Sequence, residues 1–555
     1  MTSPDLQAWA GDEQAAGALE VKASGAAADA VSAHVPALVL DRVASRIAAK
    51  DATLWGPEAE AESAIRLGWT DVFGATRPVV EKVLALREEL AAEGVDRVVL
   101  CGMGGSSLAP EVITRTAGVP LVVLDGTDPS QVRTALDGDL ARTVVVVASK
   151  SGSTVETDSQ RRAFEAAFTA AGIDAASRIV VVTDPGSPLE QASLEAGYRA
   201  VFLADPNVGG RFSALTAFGI VPSALAGADV VALLDDAEAV ADLLADDGEG
   251  NPALVLGSAI AGTQPLRDKL VFADEGSGIV GLPDWAEQLI AESTGKSGTG
   301  LLPVVVEGPQ SPELAALAAD VLAVRLVAEV SEVDTAADEV QVAGPLGAQL
   351  LLWEYATAVA GRLLDISPFD QPDVESAKKA ARGMLDATPE PAPADLVDGA
   401  VEVRATPGLL DGVADLSGAV DALLGTLGEK GYLAVMAYID READAVLASV
   451  RAPLAARTGR PVTFGWGPRF LHSTGQYHKG GPLTGAYLQI TAAAGEDLEI
   501  PGRPFTFGQL ISAQAAGDAE VLAAKGAPVL RLHLTDRASG LAQVLSLLGS
   551  PEAQA

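Results

Sequence analysis

The sequence predicts an α/β protein built from doubly wound parallel sheets. From about residue 95, short apolar runs alternate with amphipathic stretches; the runs are DRVVLCG, PLVVLDG, TVVVVAS, RIVVVTD and RAVFLAD. Valine-rich runs that are apolar on both faces, separated by helical patterns such as QRRAFEAAFTAAG, indicate buried parallel strands covered by helices. The composition agrees with this fold class. Hydrophobic residues make up 48% of the chain but aromatic residues only 4%, so the cores must consist mainly of Ala, Val and Leu, which suit helix-on-sheet packing.

The chain is long enough for several compact units, because a single hydrophobic core stops growing well below 555 residues. After these five runs the pattern resumes with ALVLGSA, DKLVFAD and LLPVVVEG, followed by helices at about 312–330 and 345–366. A stretch rich in Pro, Ala and Asp predicts a linker, and GYLAVMAYID, PVTFGWG, AYLQITA and PVLRLHL predict further strands. The predicted units are an N-terminal extension (1–49), a first doubly wound domain (50–245), a second (246–388), the linker (389–399) and a C-terminal α/β segment (400–555).

Charge and cysteine content narrow the possible partners and the compartment. The 75 acidic and 38 basic residues give a formal net charge of -37, which disfavours nucleic acid and acidic membrane surfaces as partners. The single cysteine, Cys101, excludes an intramolecular disulfide and is expected to be buried and inert at the end of an apolar strand.

The N-terminal residues lack a basic start and an apolar core, so no signal peptide is predicted. The longest apolar stretch (345–366) carries Glu354 and Arg362, which predicts a buried helix rather than a membrane span. We therefore expect a cytoplasmic protein.

Two predicted strands end in loops that are unusually small and polar. The first, CGMGGSSLAP, offers Gly105 for a tight turn, and Ser106 or its neighbour can cap the helix starting near Leu108. The second, SKSGSTVET, directly follows the run of valines. Because ligands of doubly wound sheets bind beyond the carboxyl ends of the strands, these loops are the expected ligand site.

The second loop has more hydroxyls than a helix cap needs. Ser153 and Glu156 have the spacing of a capping box, which accounts structurally for one hydroxyl. The other polar groups at this helix start suit an anion such as a phosphate monoester; they are Ser149, Lys150, Ser151 and Thr154. Neither loop has the spacing of a P-loop or of a G-x-G-x-x-G dinucleotide fingerprint.

Five motifs in order resemble those of one enzyme family. GMGGSSLAP and SKSGSTVET resemble the phosphosugar-binding loops of sugar isomerase (SIS) domains, specifically those of the glucose-6-phosphate isomerase family. GGRFSALTAFGIVP, AEQLIAESTGKSGTGLLPVVV and SPFDQPDVESAKKAA resemble its later motifs. The resemblance implies two SIS-type doubly wound domains. After residue 400 the chain resembles only a variant branch, the isomerase half of transaldolase–isomerase fusions.

The resemblance also implies the roles of individual residues. Moving a proton between C2 and C1 of a sugar phosphate through an enediolate needs a carboxylate base and a positive group beside the developing oxyanion. The family pattern assigns these roles to Glu292 and Arg211, whereas from the residues alone Glu292 reads as a solvent-facing carboxylate near a helix end. Gln288 lies one helical turn before Glu292, so both can face one site. Gln371 is implied as a substrate contact.

The family's ring-opening lysine matches Lys378, although a shifted helix register would make it Lys379. The resemblance further implies a set of phosphate ligands, which are Gly105, Ser106, Ser149, Lys150, Ser151 and Thr154. For Lys150 the backbone N–H is a possible donor as well as the ammonium.

The family's ring-opening histidine is missing from its usual place between the glutamate and lysine motifs. Two of the four histidines, His472 and His478, lie instead in the Gly-rich stretch GPRFLHSTGQYHKGGP of the C-terminal segment. Three interpretations remain open: ring opening or substrate contact, a structural or interface role, and a metal site. No Cys, Asp or third His accompanies them nearby, so a metal is not expected.

The sequence therefore predicts an aldose–ketose isomerase that interconverts glucose 6-phosphate and fructose 6-phosphate without cofactor or metal. Activity on mannose 6-phosphate as well is one variant of this prediction. The alternative is a phosphosugar sensor, which would need the phosphate loops but not the glutamate, arginine and lysine motifs. The resemblance implies a homodimer.

Overall fold

The computed structural model describes residues 19–331, 335–373, 380, 382–385 and 393–551. Their strands form three sheets, one in each part of the chain. The arrangement confirms the predicted fold class, an α/β protein with parallel, helix-covered sheets and a C-terminal α/β segment. The helices and strands are given below sheet by sheet.

The first sheet is entirely parallel, with strand order β3-β2-β4-β5-β6. Its strands are β2 (Arg97–Gly102), β3 (Val122–Leu124), β4 (Thr143–Ala148), β5 (Ile179–Thr183) and β6 (Ala200–Leu203). The chain crosses from one side of β2 to the other between β3 and β4, so the topological switch point lies between β2 and β4. Gly102 pairs with Ala148 at the carboxyl end of this strand pair, which brings the two polar loops together.

Helices cover this sheet and lead from it into the second part of the chain. They are α2 (Val43–Ala48), α3 (Glu60–Ser63), α4 (Phe73–Ala92), α5 (Leu108–Ala117), α6 (Pro129–Leu136), α7 (Val155–Ala170), α8 (Pro188–Ala196), α9 (Ala217–Ala226) and α10 (Val230–Leu244), after α1 (Gly25–Leu40) near the N-terminus.

Cys101 in β2 is fully buried, and burial raises the pKa of its thiol.

The second sheet has the order β1-β10-β9-β7-β8. Its strands are β1 (Glu20–Ala23), β7 (Lys269–Glu275), β8 (Leu302–Val305), β9 (Val321–Val327) and β10 (Glu339–Ala343), and its helices are α11 (Pro252–Ala261), α12 (Leu282–Thr294), α13 (Pro312–Ala315) and α14 (Leu346–Leu363). Four strands are parallel, and β1 from the predicted N-terminal extension adds an antiparallel edge.

Two local predictions for this region were wrong. ALVLGSA is not a strand but part of α11, a helix buried on every side, so its apolar run carries no helical period. The helix begins there because Pro252 occupies its first turn and the Asn251 side chain accepts from two backbone N–H groups. The helix predicted at 312–330 is only the single turn α13, followed by the valine-rich strand β9.

The third sheet has the order β11-β12-β16-β15-β13-β14, with β13 to β16 parallel and two antiparallel strands at one edge. Its strands are β11 (Leu396–Asp398), β12 (Val401–Ala405), β13 (Tyr432–Tyr438), β14 (Val462–Trp466), β15 (Gly485–Ala492) and β16 (Val529–Leu534). Its helices are α15 (Leu416–Leu424), α16 (Arg451–Thr458), α17 (Gly475–Gly480), α18 (Phe507–Ala524) and α19 (Arg537–Leu547). Strand β11 falls inside the stretch predicted as a linker, whose residues 389–392 lie outside the described residues.

The three sheets share apolar contacts. Helices α9, α10, α11 and α14 belong to one buried cluster with strands of the first and second sheets. Tyrosines of β13 and β15 belong to one buried cluster with residues of β7 and β8, and Phe507 and Leu510 of α18 belong to another with valines of β2 and β4. The part of the chain that carries the third sheet (residues 396–547), called the third unit below, therefore contacts the parts that carry the first and second sheets, called the first and second units. Within the described part of the chain, no helix has the length and apolarity to cross a membrane.

Candidate active site

The loop after β2 lies directly against the loop that carries Arg211. Residues Gly104–Ser106 form one 3-10 turn, and Gly104 has a positive φ of 56°. A Cβ on Gly105 would lie 1.9 Å from the carbonyl oxygen of Gly210, so only glycine allows this close approach. Ser106, at the end of the turn, is half-buried. The first loop thus brings its backbone and one hydroxyl next to the arginine.

The loop after β4 presents its hydroxyls at the start of α7. Ser149 Oγ lies 3.2 Å from Thr154 Oγ1, and Ser151 Oγ lies 2.9 Å from Ser153 Oγ. Thr154 is the N-cap residue of α7, and its side chain makes no capping bond. These hydroxyls are therefore paired with one another rather than with the helix backbone.

The predicted capping box between Ser153 and Glu156 does not form. Glu156 instead accepts a hydrogen bond from the Gln514 side chain, which draws its carboxylate away from the helix N-terminus. Lys150 is also engaged elsewhere: its ammonium pairs with Asp184 and donates to the Pro206 carbonyl at 3.2 Å.

Gln288 and Glu292 face the same site from α12, as their spacing predicts. The Gln288 amide donates to Glu292 Oε2 at 3.1 Å and to the His472 carbonyl at 2.7 Å. Both side chains are buried, with exposures of 4% and 7%. Helix α12 ends at Gly295, where a Cβ would lie 2.4 Å from Tyr477 Cα. The Glu292 carboxylate is thus held inside the protein and not, as the residues alone suggest, at a solvent-facing helix end.

Arg211 lies beside this carboxylate, with Nη1 3.4 Å from Glu292 Oε1. Its Nε donates to Ser293 Oγ at 2.8 Å, and Nη1 donates to Gln371 Oε1 at 2.6 Å. Nη2 donates to the Pro368 carbonyl at 2.7 Å, so the guanidinium is fixed in one plane. Burial lowers the pKa of Arg211, and neighbouring Glu292 opposes that shift; a guanidinium remains charged in either case.

Lys296 is a part of the site that the residue-level interpretation did not single out, although it ends the glutamate motif ESTGK. Its ammonium donates to the Ser367 carbonyl at 2.7 Å, to Asp370 Oδ1 at 2.6 Å and to the Asp370 carbonyl. Burial, with the nearby charge of Arg211, lowers the pKa of Lys296 to about 8. Lys296 and Arg211 together fix the loop that ends in Gln371.

The structure separates the two candidate histidines. His472 lies next to the first polar loop, because a Cβ on Gly104 would meet His472 Cβ at 3.0 Å and Gln288 Nε2 at 2.7 Å. Its Nε2 lies 3.4 Å from Glu156 Oε1. His472 therefore joins the loops, Gln288 and Glu156 in one cleft.

His478 lies elsewhere, in an aromatic core. Its ring is 5.3 Å from that of Tyr487 and about 6 Å from those of Tyr432 and Phe470. Neither ring nitrogen has a hydrogen-bond partner in the described part of the chain, and burial lowers the pKa of His478 well below its usual value. This histidine is held neutral and packed.

Lys378 and its neighbour Lys379 lie outside the described residues, so the structure gives them no position. The described residues also contain no group of three or more His, Cys, Asp or Glu side chains arranged to hold a metal ion. The groups that the described chain brings to the cleft include the Glu292 carboxylate, the guanidinium and ammonium of Arg211 and Lys296, the His472 imidazole with its carboxylate partner, and the two polar loops. Such a set can move protons at a bound phosphorylated polyol.

Comparisons with known proteins agree with this arrangement. The family model described as phosphoglucose isomerase matches residues 70–261. The chain is 30% identical to a probable glucose-6-phosphate isomerase of Haloarcula marismortui, over 54% of this chain and 81% of that protein. It is also 30% identical to a glucose-6-phosphate isomerase of Rubrobacter xylanophilus, over 55% of this chain and 86% of that protein.

Two solved structures have a similar fold. A hypothetical protein from Thermus thermophilus matches with a TM-score of 0.55 and 27% identity, covering 66% of this chain and 99% of that one. A glucose-6-phosphate isomerase from Chlamydia trachomatis matches with a TM-score of 0.50 and 20% identity, covering 62% of this chain and 78% of that one.

Proposed function

The chain belongs to the phosphoglucose isomerase family, and on that premise we propose that it interconverts glucose 6-phosphate and fructose 6-phosphate with Glu292 as the base. One observation carries the mechanism: the Glu292 carboxylate lies buried beside the Arg211 guanidinium. The carboxylate can take a proton from carbon while the guanidinium stabilises the oxyanion that forms.

The isomerisation moves one proton between two carbons. Glu292 takes the proton from C2 of the open-chain aldose, the C1 carbonyl becomes an enediolate oxygen, and Arg211 stabilises that charge. The C2 hydroxyl proton passes to the C1 oxygen, and Glu292 returns its proton to C1. Because Gln288 donates to Glu292, its amide holds the carboxylate in one orientation before the reaction.

Ring opening comes first and needs a proton on the ring oxygen. We assign that donor to His472, because its imidazole lies in the cleft beside the first polar loop, with Nε2 3.4 Å from Glu156 Oε1. The C1–O5 bond breaks, O5 takes the proton from His472, and the C1 hydroxyl loses its proton to Lys378, as the family resemblance implies. Buried His478, whose ring nitrogens have no hydrogen-bond partner among the described residues, is left to a structural role.

The phosphate is proposed to bind at the two loops of the switch point. Ser106, Ser149, Ser151 and Thr154 supply hydroxyls there. The Lys150 ammonium is committed to Asp184, so this residue contributes through its backbone N–H. The single buried cysteine is compatible with a cytoplasmic enzyme, and the family resemblance supports a homodimer, which light scattering on the purified protein tests directly.

The assay that tests this function supplies fructose 6-phosphate and detects glucose 6-phosphate between pH 7 and 8. Glu292→Gln should lower kcat by at least about a hundredfold, because general-base contributions are about 10²–10⁴. His472→Ala should lower it about tenfold or more, and His478→Phe should change the melting temperature more than kcat. Glu292→Gln with wild-type turnover would rule out the proposed base.

A further inference from the structure

Behind His472, which belongs to the third unit, buried polar contacts run through Glu156 of the first unit and back to Gln514 of the third. Gln514 Nε2, on α18, donates to Glu156 Oε1 at 2.6 Å. Thr127 Oγ1, in the loop after β3, donates to Gln514 Oε1 at 2.7 Å. Thr127 is fully buried, and Gln514 and Glu156 are 4% and 5% exposed. These three residues come from segments that lie up to 387 positions apart in sequence.

The direction of these bonds fixes each group. The hydroxyl of Thr127 faces one end of the Gln514 amide, so the amide presents its NH₂ end to Glu156. Gln514 Nε2 and His472 Nε2 contact the same carboxylate oxygen, Glu156 Oε1, at 2.6 Å and 3.4 Å. The amide, itself fixed by Thr127, therefore holds this oxygen toward His472, whereas an apolar side chain in place of Gln514 would not hold it there.

We infer that Gln514 is a positioning residue for ring opening: it holds the Glu156 carboxylate oriented toward His472. This inference deepens the proposed function and rests on it. Gln514 acts through Glu156, so its loss should weaken proton transfer to the ring oxygen and leave phosphate binding intact. The isomerisation step at C2 depends on Glu292 and should be affected only because it follows ring opening.

Anomerisation of glucose 6-phosphate isolates the step in question. Converting the α to the β anomer needs the ring to open and to close on the other face, but it needs no proton transfer at C2. Glu292→Gln should therefore still catalyse anomerisation, observed by NMR saturation or exchange of the C1 proton signals. In Gln514→Met, both anomerisation and kcat for isomerisation should fall about ten- to a hundredfold, with KM within twofold of the wild-type value.

Gln489 offers a matched control, because it is another fully buried glutamine of the third unit with both amide ends bonded. Its Nε2 donates to the Ala515 carbonyl at 2.9 Å, and its Oε1 accepts from Arg531 at 2.8 Å. Gln489→Met removes the same number of buried amide contacts, one of them to the same helix, but leaves the Gln514 side chain and its bond to Glu156 in place. It should lower the melting temperature and leave the anomerisation rate within about twofold of wild type.

Gln514→Glu distinguishes positioning from a merely structural role. At low pH the introduced carboxyl carries a proton and can donate to Glu156 as the amide does; at higher pH two adjacent carboxylates repel. Anomerisation by this variant, relative to wild type at each pH, should therefore be highest at acid pH and fall as pH rises. This variant also tests the inference if Gln514→Met does not fold.

Three outcomes separate the possibilities. Wild-type anomerisation in Gln514→Met, or equal losses in Gln514→Met and Gln489→Met, would overturn the inference while leaving the isomerase intact. A pH-independent ratio for Gln514→Glu would overturn it as well. Absence of fructose 6-phosphate conversion by the wild-type chain would instead refute the proposed function itself.

Discussion

Lys296 shows at the scale of one residue how a buried cation can organise a cleft. Its three N–H groups match three acceptors on residues Ser367 and Asp370 of the loop that ends in Gln371. An ammonium has three donors and a neutral amine only two, so this match exists only while Lys296 is charged. The loop in turn supplies acceptors for Arg211, so the charge of Lys296 indirectly fixes the proposed oxyanion group.

This arrangement predicts an alkaline loss of activity. The pKa of Lys296 is lowered to about 8, so the ammonium is present below that pH and is lost as pH rises through it. We expect wild-type kcat to fall above about pH 8, and Lys296→Met to have a kcat about tenfold lower without this alkaline limb. The pH profile of kcat from pH 6 to 10 measures both.

Lys269→Met is the control for this prediction. Lys269 is another fully buried lysine, paired with Asp268 and Asp320 at the start of β7, the opposite end of that strand from the cleft-facing loops. Its loss should destabilise the protein and leave the alkaline limb in place. If the fall in kcat above about pH 8 disappeared in both variants, its cause would be a change in stability and not the deprotonation of Lys296.

The two histidines show what residue-level reading of the sequence can and cannot give. Both lie in one Gly-rich stretch, and nothing in that pattern ranks them. The structure distinguishes them by burial: His472 borders the cleft, whereas His478 is enclosed by aromatic rings. The contact between Glu156 and Gln514 could not be predicted from the sequence, because it joins residues 358 positions apart.

At the scale of elements, the turn after β2 is defined by its contact with the turn that carries Arg211. Gly105→Ala would force Cβ against the Gly210 carbonyl, which is backbone and cannot move aside alone. We expect a destabilisation of about 1–3 kcal/mol. A loss of kcat/KM of at least about tenfold should accompany it, because Arg211 shifts with the turn. Thermal melts and initial rates on the variant measure both effects.

Gly209→Ala is the matched control in the neighbouring turn. Its φ is -67°, and the nearest atom to an added Cβ, Arg66 Cδ, lies 3.9 Å away. This variant should retain both stability and activity. If Gly105→Ala behaved like Gly209→Ala, the close packing of the two turns would not matter for catalysis.

The elements that the sequence predicts well are those with a clear pattern. All five apolar runs of the first sheet form strands. The three central ones, β2, β4 and β5, are buried almost throughout, which is why they need continuous apolar residues. The same rule misled at α11, where a helix enclosed on all sides has the same continuous apolarity. Strand β9 was instead predicted as part of a helix, because its Leu and Ala residues also suit a helix. Periodicity alone does not separate these cases.

At the scale of the whole molecule, the third unit completes the cleft. It supplies His472 and Gln514, and its docking depends on buried charges as well as on apolar packing. Arg451 on α16 is 3% exposed; it pairs with Glu313 of the second unit, and its Nε donates to Glu307 Oε1 at 2.8 Å. Glu313 is itself buried, at 7% exposure, so removing the arginine would leave its charge without this partner.

Arg451→Met should therefore cost about 3–5 kcal/mol of stability, as expected when one partner of a buried pair is removed. Activity should be lost at the temperature at which the third unit separates, because His472 leaves with it. Glu313→Gln in the same chain should recover part of the loss. The comparison is Arg142→Met, whose pair with Asp96 is more than half exposed, so its loss should leave stability almost unchanged. Calorimetry with parallel activity measurements compares the variants.

The most direct test of the central claim is proton NMR of glucose 6-phosphate incubated with enzyme in D₂O. A base that moves the C2 proton through an enediolate exchanges part of it with solvent, so the wild-type chain should replace the C2 proton by deuterium. Glu292→Gln should leave the C2 proton in place while the α and β anomers still interconvert, and His472→Ala should slow both processes. Deuterium at C2 in Glu292→Gln at the wild-type rate would contradict the assignment of Glu292 as the base.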